Sequence, residues 1–450
     1  MKNFYIDPKS LYRLPWTMPD NGITWLEPTA QCNLNCYGCY RKNIKNSHKP
    51  LDEVKHELDF FESVRKSDCI SIAGGDPLLY PYIVELVADI KRRGLKPIIN
   101  TNGIALTNEL LDELKKAGVF GFTFHIDSKQ GRGRNPKWNN KNEIELNELR
   151  LYYAEMLAAK GGIACSFNST VYDDTIQYLP DLVEWAHEHI DIVHTMVFIL
   201  FRYITPDTPF DFYAGDKKIV WDDIHYHSNK KEVTDLMATD AVKSIREKFP
   251  DFSPAAFLNG TAKADHFKWL LSERIGNKKK VFGYAGNKFL ELVMTLYHFR
   301  QDKYLSYASP KILSLGRLTL FNTWFLDKGI KKAFKNYLKY LVVNPFRIFK
   351  KVYIQSIMII QPVDLMPNGD QSMCDGCPDI TYWKDKDGTE KLVWSCRLEE
   401  PMKYGDFLRM VPKNREAIPD NGGGAVAETE KIKKEMENEY SEKQENLSMW

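Results

Sequence analysis

The sequence predicts an α/β protein built on a partial (β/α)6 barrel of the TIM type, with a helical insertion and a small C-terminal metal-binding domain. Three observations carry this expectation. Between Ile23 and Leu200, short apolar runs alternate with stretches of helical periodicity, the pattern of parallel strands with helices outside. Several of those runs end in small or polar residues, where such folds keep their functional groups. The cysteines fall in two close groups rather than at disulfide-like intervals, which in a chain of this length points to metal ligands in a reducing compartment.

Composition narrows the class. With 450 residues, 43% of them apolar, the chain can bury a large core and form more than one domain. Its net charge of +2 argues against a polyanion-binding molecule, so no nucleic-acid partner is expected. No apolar run approaches the roughly 18 residues of a spanning helix. The opening Met1-Lys2-Asn3-Phe4-Tyr5 is not a signal segment, so a cytoplasmic location is expected.

Residues 1–22 read as a leader packed on the core, and 23–200 as the barrel. The strand Ile23–Glu27 delivers a loop with Cys32, Cys36 and Cys39 spaced C-x3-C-x2-C. Three thiols that close suit one loop folded around one metal centre, with an open metal position left over. A helix from about Leu51 to Arg65 follows, with Val54, Leu58 and Phe61 on one face. The strand Cys69–Ala73 then ends in Gly74-Gly75-Asp76-Pro77, and glycines at a strand end allow close approach to the backbone. A helix over about Tyr82–Arg93 and a strand over Pro97–Ile99 lead to Asn100-Thr101-Asn102-Gly103. After a helix over Asn108–Ala117, the strand Phe122–Ile126 ends at Asp127-Ser128. Helices over about Glu143–Lys160 and Tyr178–His189 flank a strand Ala164–Val171 carrying Asn168 and Ser169, and Ile192–Leu200 is the last clear strand. Asn102, Asp127, Asn168 and Ser169 stand where a ligand would be held, although capping helices and closing turns is the commoner work of such residues. His125 reads at least equally well as a satisfied core histidine, and Cys69 and Cys165 as small buried apolar residues.

Residues 201–366 read as mainly helical, with helices over Lys231–Phe249, Ala264–Ile275 and Asn287–Phe299. His225 and His227 have no further ligand nearby, so no metal site is expected there. Residues 311–351 hold ten Lys or Arg against one acid, Asp327. Leu326, Ile330, Phe334, Tyr337, Leu338 and Leu341 would form the apolar face of a basic amphipathic helix. Such a helix either packs on a core with its lysines in solvent or lies in a membrane interface. Residues 367–412 form the Cys-rich unit, with Cys374, Cys377 and, across a hairpin turning at Asp385–Gly388, Cys396. Asp364, Asp370 and Asp375 are nearby oxygen donors. The 413–450 stretch reads as a disordered polar tail.

The C-x3-C-x2-C loop resembles the signature of the radical S-adenosylmethionine (SAM) enzymes. Gly74-Gly75-Asp76-Pro77 resembles that family's Gly-Gly-Glu-Pro motif, and Asn100–Gly103 another of its strand ends. Two departures are visible. Gly38 stands where an aromatic residue usually precedes the third cysteine, with Tyr37 and Tyr40 beside it, and Asp76 replaces glutamate. The resemblance implies a [4Fe–4S] cluster on Cys32, Cys36 and Cys39. It implies SAM held by Gly74, Gly75, Asp76, Pro77, Asn102, Asp127, Asn168 and Ser169. It also implies reductive cleavage of SAM to a radical that abstracts hydrogen, fed by a flavodoxin- or ferredoxin-type electron donor. Cys374, Cys377 and Cys396 resemble the auxiliary-cluster extensions of that family, with zinc as the alternative metal. The loose arrangement looks somewhat like radical SAM enzymes acting on lipids, which implies a membrane-lipid substrate and peripheral membrane contact. The alternatives are a peptide-modifying maturase, for which residues 1–22 are too short to hold a precursor-binding domain, and a non-catalytic iron–sulfur protein. No catalytic side chain is assigned.

Overall fold

The computed structural model describes residues 5–132, 137–224, 227–229, 236–263 and 265–413. The tail read over 413–450, apart from its first residue, and His225 lie outside the described residues.

Six parallel strands pair in chain order: β1 (Ile23–Thr29), β2 (Cys69–Gly74), β3 (Lys96–Thr101), β4 (Gly121–His125), β5 (Ala164–Val171) and β6 (Thr195–Leu200). Helices α1 (Leu51–Val64), α2 (Ile83–Arg92), α3 (Asn108–Ala117), α4 (Asn147–Lys160) and α5 (Leu179–Glu188) connect them. The periodicity explains their seating: Val54, Leu58 and Phe61 of α1 are buried, as are Leu86, Val87 and Ile90 of α2. Thr107 accepts a hydrogen bond from the Leu110 N–H and so starts α3.

The second half of the chain lengthens this sheet. It supplies α6 (Ala238–Lys248), β7 (Ala256–Asn259), β8 (Phe267–Asn277), β9 (Lys280–Tyr284), α7 (Asn287–Gln301), α8 (Gly316–Thr323), α9 (Lys328–Val343) and β10 (Tyr353–Ile360). β10 lies parallel to β6, β8 antiparallel to β10, and β7 antiparallel to β8. The short strand Tyr12–Arg13 completes the order beside β7. Residues 14–22 alone then join this far edge to β1, so the two ends of the curled sheet lie within roughly 35 Å along the chain.

Residues 201–366 are therefore not mainly helical, and the expected helix over Ala264–Ile275 is strand β8. That strand is buried along nearly its whole length. Because both faces are covered, Lys268, Ser272 and Arg274 are buried along with the apolar residues, and the strand lacks the polar–apolar alternation that would separate it from a helix. The helix expected over Lys231–Phe249 is α6 in its described part. The basic helix is present as α9, with its apolar side turned inward. Ile330, Ala333, Tyr337 and Tyr340 are buried, and the Tyr337 ring lies 5.2 Å from that of Phe282 in β9. Its lysines face outward.

The C-terminal unit packs on the barrel's free edge. Strands β11 (Ile380–Lys384) and β12 (Glu390–Trp394) form the expected hairpin. β11 runs beside β1, and Tyr382 stacks edge-on to Phe60 of α1 at 5.4 Å. An edge strand covered in this way is closed to pairing with another chain.

One buried ion pair braces the strand ends. The sequence reading put Glu143 in the first turn of α4, but it precedes the helix and points inward. Its carboxylate takes the Arg150 guanidinium at 2.8 Å and the Ser128 N–H at 2.7 Å, and both charged side chains are buried. Removing one partner strands the other charge. Arg150→Met is expected to destabilise the fold by about 3–5 kcal/mol in urea titration. The double variant with Glu143→Gln should recover most of that loss.

Candidate active site

The Cys loop leaves the end of β1 and is braced by its own backbone. Asn43 closes it, accepting from the Cys32 N–H at 3.0 Å and donating to the carbonyls of Cys32 and Leu34. The Tyr37 N–H donates to the Lys129 carbonyl, beyond the end of β4. The β2 turn packs directly against the loop's start. The N–H groups of Gly75 and Asp76 donate to the carbonyls of Thr29 and Gln31, each at 2.8 Å, and a Cβ on Gly75 would collide with the Gln31 carbonyl. The glycine pair is thus required by contact with the Cys loop.

Burial raises the pKa of all three thiols. Cys32 is pushed up to about 11, with Asp76 and Cys39 adding to the effect of burial. Cys36 is raised by burial and then by Asp127, Cys39 and Cys32, with Arg132 opposing. Cys39 is exposed in part, yet desolvation raises it, and its Sγ lies 3.2 Å from the Arg41 carbonyl. The thiols therefore act on one another, though among the described residues no three His, Cys, Asp or Glu side chains are closed into a metal cage. Three soft sulfur donors suit an iron–sulfur cluster, whose positive charge would stabilise them as thiolates. The position of Gly38 is filled by its neighbours: an added Cβ would meet Tyr172 and Phe201. Tyr37, Tyr172 and Phe201 form a ring cluster at 5.2–5.9 Å, so aromatic cover comes from the residues just after β5 and β6 as well as from the loop.

The predicted strand-end residues divide into two groups. The Asp76 carboxylate is fully buried and already engaged by Thr101 Oγ1 and the N–H groups of Asn102 and Leu78. Burial outweighs those bonds and raises its pKa. Pro77 begins the turn that Asp76 caps. Ser169 is buried and donates to Glu143 at 3.3 Å. These side chains brace the strand ends. Asn102, in contrast, reaches the loop, with Nδ2 2.6 Å from Asn33 Oδ1 and 3.7 Å from Cys32 Sγ. Asp127 is paired with His125 at 3.0 Å. Burial would raise its carboxyl, but the His125 ring and the Lys129 N–H hold it below the usual range. His125 thus belongs to this polar cluster rather than to the core. Arg132, unmarked by any spacing signal in the sequence, is buried here and donates to the carbonyls of Asn102 and His125. Asn168 is half-buried and faces the barrel interior.

Residues 26–200 match the Radical SAM superfamily model. They are a radical SAM domain. The AdoMet-dependent heme synthase of Methanosarcina barkeri is 29% identical over 181 residues, 40% of this chain and 50% of that protein. The tungsten-containing aldehyde ferredoxin oxidoreductase cofactor-modifying protein of Pyrococcus furiosus is 33% identical over 106 residues, 23% of this chain and 30% of that protein. The chain thus spans half or less of the length of these relatives. A crystal structure of Streptococcus suis SuiB aligns with a TM-score of 0.36 at 16% identity, over 52% of this chain and 46% of that one. The superfamily's cofactors are a [4Fe–4S] cluster and SAM.

Outside the radical SAM domain, Cys374, Cys377 and Cys396 come together against its flank. The Cys377 thiol is raised by its hydrogen bond with Cys374, then by burial, Asp379 and Cys396. Cys396, although exposed in part, is pushed up to about 12 by desolvation and Cys374. The barrel holds this knuckle through carbonyls: Arg65 donates to Cys377 and Pro378, and Asn21 to Gly376. Of the acids the sequence offered, Asp364 is taken by Arg202 and Lys268, and Asp375 by Arg13. The sequence reading missed Asp379, which is half-buried and acts on Cys377 and Cys396. The Cys loop and the knuckle also touch. Arg41 is clamped by Glu27 at 2.6–2.7 Å and donates to the Ser395 carbonyl, and the Lys42 N–H meets Glu399.

The barrel interior is not filled. A cavity of about 470 Å³ runs inside the strands, within the range of about 300–1,000 Å³ typical of ligand pockets. On β5 its lining extends from Ala164, the first residue, to Asn168, roughly 13 Å of strand. Its walls are mostly apolar, from β8, β10, α7 and α8, with Glu273 as a half-buried carboxylate hydrogen-bonded to Ser356 at 2.8 and 3.0 Å. Burial pushes the Glu273 carboxyl up to about 7, with Ser356 opposing.

Gly75→Ala should keep the far-UV circular dichroism of the wild type but take up severalfold less iron on anaerobic reconstitution, because the Cys loop is displaced. Glu273 carries a pH signature. Its folded-state pKa is raised from 4.5 to about 7, so its contribution is fully present below pH 4.5 and is lost as pH rises to about 7. Glu273→Gln should flatten that fall, making the difference between variant and wild type about 3 kcal/mol larger at pH 7.5 than at pH 4 in urea titrations.

Proposed function

We propose that this protein is a SAM-cleaving radical enzyme that removes hydrogen from a molecule lying in the barrel cavity. Cys32, Cys36 and Cys39 would hold the [4Fe–4S] cluster. The cluster, reduced by a flavodoxin- or ferredoxin-type protein, supplies the electron that breaks a carbon–sulfur bond of SAM and yields a hydrogen-abstracting radical.

This chain's residues take distinct parts in that reading. The backbone of Gly74–Pro77 lines the Cys loop, while the Asp76 carboxylate is spent on the fold. SAM contact at this motif is therefore assigned to the backbone. Asn102, Asp127 with His125, and Asn168 remain as polar groups directed at the site. Tyr37, Tyr172 and Phe201 exclude water beside the cysteines. Cys374, Cys377 and Cys396 would hold a second metal centre, assigned as an iron–sulfur cluster rather than zinc.

The observation that carries the reading is that the cavity's lining includes Asn100 of β3 and Asn168 of β5, strands followed by Asn102 and Tyr172, which contact Asn33 and Tyr37 of the Cys loop. A radical formed there needs a dry, enclosed substrate. The apolar walls favour a molecule with a long apolar portion, a membrane lipid, over a peptide, whose backbone polar groups would find few partners in the cavity. No helix among the described residues is long and apolar enough to cross a membrane, so contact with lipid would be peripheral.

Anaerobically reconstituted protein, reduced in the presence of SAM, should form 5′-deoxyadenosine, and the Cys32→Ala/Cys36→Ala/Cys39→Ala variant should form none. Cys374→Ala/Cys377→Ala/Cys396→Ala should lose one cluster's worth of iron and keep the Cys-loop signal in electron paramagnetic resonance. A well-loaded wild type that forms no 5′-deoxyadenosine would leave an iron–sulfur protein without radical chemistry.

A further inference from the structure

The lower end of the cavity opens on an apolar face. Residues 297–315 cover the N-terminal ends of the strands. Tyr297 and Ser306 bond Asp68 just before β2, and the Tyr307 carbonyl takes Lys96 at the start of β3. Leu296, Ile312, Leu315 and Leu318 line the cavity and are also exposed outside. The cavity therefore reaches the surface between α7 and α8, at the end of the barrel opposite the Cys loop.

That mouth is set in an apolar surface. Phe299 is 91% exposed, Val342 82%, Phe349 81% and Phe346 80%, and Phe325 and Trp324 are exposed beside them. The segments are neighbours. The Arg317 guanidinium of α8 donates to the Ile348 carbonyl, and the Phe321 and Trp324 rings lie 5.3 and 5.9 Å from Phe334 of α9. An exposed aromatic and aliphatic surface of this kind marks an interaction site. Its edges are cationic. Residues 311–351 hold ten Lys or Arg and one acid. That acid, Asp327, is occupied with the Ile330 and Phe289 N–H groups. Among the described residues, Lys332 alone of the ten has an acidic partner, Asp251.

We propose that this face docks on an anionic phospholipid bilayer and that an acyl chain enters the barrel through the mouth between α7 and α8. The proposal rests on the reading of the cavity as the substrate site. Exposed apolar side chains edged by unpaired cations match a bilayer with anionic headgroups. A protein seated on the same face would plug this opening, whereas a bilayer supplies through it the molecule the walls favour. The inserting elements are α8 and residues 342–349, since the apolar side of α9 is already buried.

The test is vesicle flotation with the full chain, cluster-loaded and cluster-free, on phosphatidylglycerol–phosphatidylcholine and on pure phosphatidylcholine vesicles. Wild type should float with the anionic vesicles, much less with the neutral ones, and less as salt rises. Lys350→Glu/Lys351→Glu should lower partitioning by roughly tenfold or more. Phe346→Ser/Phe349→Ser should also weaken it while leaving substrate-free 5′-deoxyadenosine formation unchanged. A wild type that ignores anionic vesicles at low salt, or binds them undisturbed by both substitutions, overturns the docking surface. Flotation does not need the cluster. Floating protein that cleaves no SAM would therefore overturn the radical reading and leave the membrane face standing.

Discussion

Gly75 lies so close to the carbonyls of Ala30 and Gln31 that no side chain fits between the β2 turn and the start of the Cys loop. The rest of the site follows from that contact. Two backbone hydrogen bonds from Gly75 and Asp76 anchor the loop. The Asp76 carboxylate then turns away from the loop to gather Thr101 and Asn102 from the end of β3, and Asn102 returns to the loop at Asn33 and Cys32. A side chain at position 75 would open this circuit at its tightest point. The substitution of Asp for Glu at position 76 is explained by the same geometry. The shorter carboxylate caps its own turn and stays inside the fold, where it is useful as a brace.

Electrostatics around the loop point the same way. Cys32, Cys36, Cys39, Cys377 and Cys396 have their pKa values raised by desolvation and by neighbouring thiols and acids, and arginines close to them are already committed elsewhere. Arg41 is held by Glu27, and Arg132 donates to the Asn102 and His125 carbonyls. Thiolates at such sites are costly without an added positive charge. The Arg41 side chain, reaching from the Cys loop to the Ser395 carbonyl next to Cys396, ties the two sulfur groups into one structural unit.

The six parallel strands were legible because each is short, followed by a helix with a clear apolar face, and closed by polar residues. Cys32, Cys36 and Cys39 were legible from spacing alone. Strand β8 was not, because burial on both faces erases the period of two that identifies a strand. The sense of α9 was not either. Its apolar stripe is plain in sequence, but whether that stripe meets a membrane or Phe282 depends on β9, which the sequence reading did not find. Ser169 and Asp76 looked like ligand residues because polar side chains at strand ends serve ligands and frameworks alike. Glu143, Thr101 and Arg150 decide between those roles, and no spacing links them. The cavity is the extreme case: its walls come from strands and helices spread over most of the chain, and Glu273 sits in a run that read as a helix.

The cavity sets a length requirement on its occupant. The polar strand ends, the Cys loop and Asn168 stand at one end of the barrel, and the mouth between α7 and α8 stands at the other. At least roughly 13 Å of strand separates the two levels. A molecule entering from below, with its charged headgroup left among the lysines outside, can bring only an interior or terminal part of its apolar chain to the upper end. On the proposed reading the reacting carbon is then an unactivated one, remote from any polar group of the substrate. Hydrogen at such a carbon is held by a strong bond with no adjacent group to weaken it. Polar acid–base chemistry has nothing to act on there, and a carbon radical does.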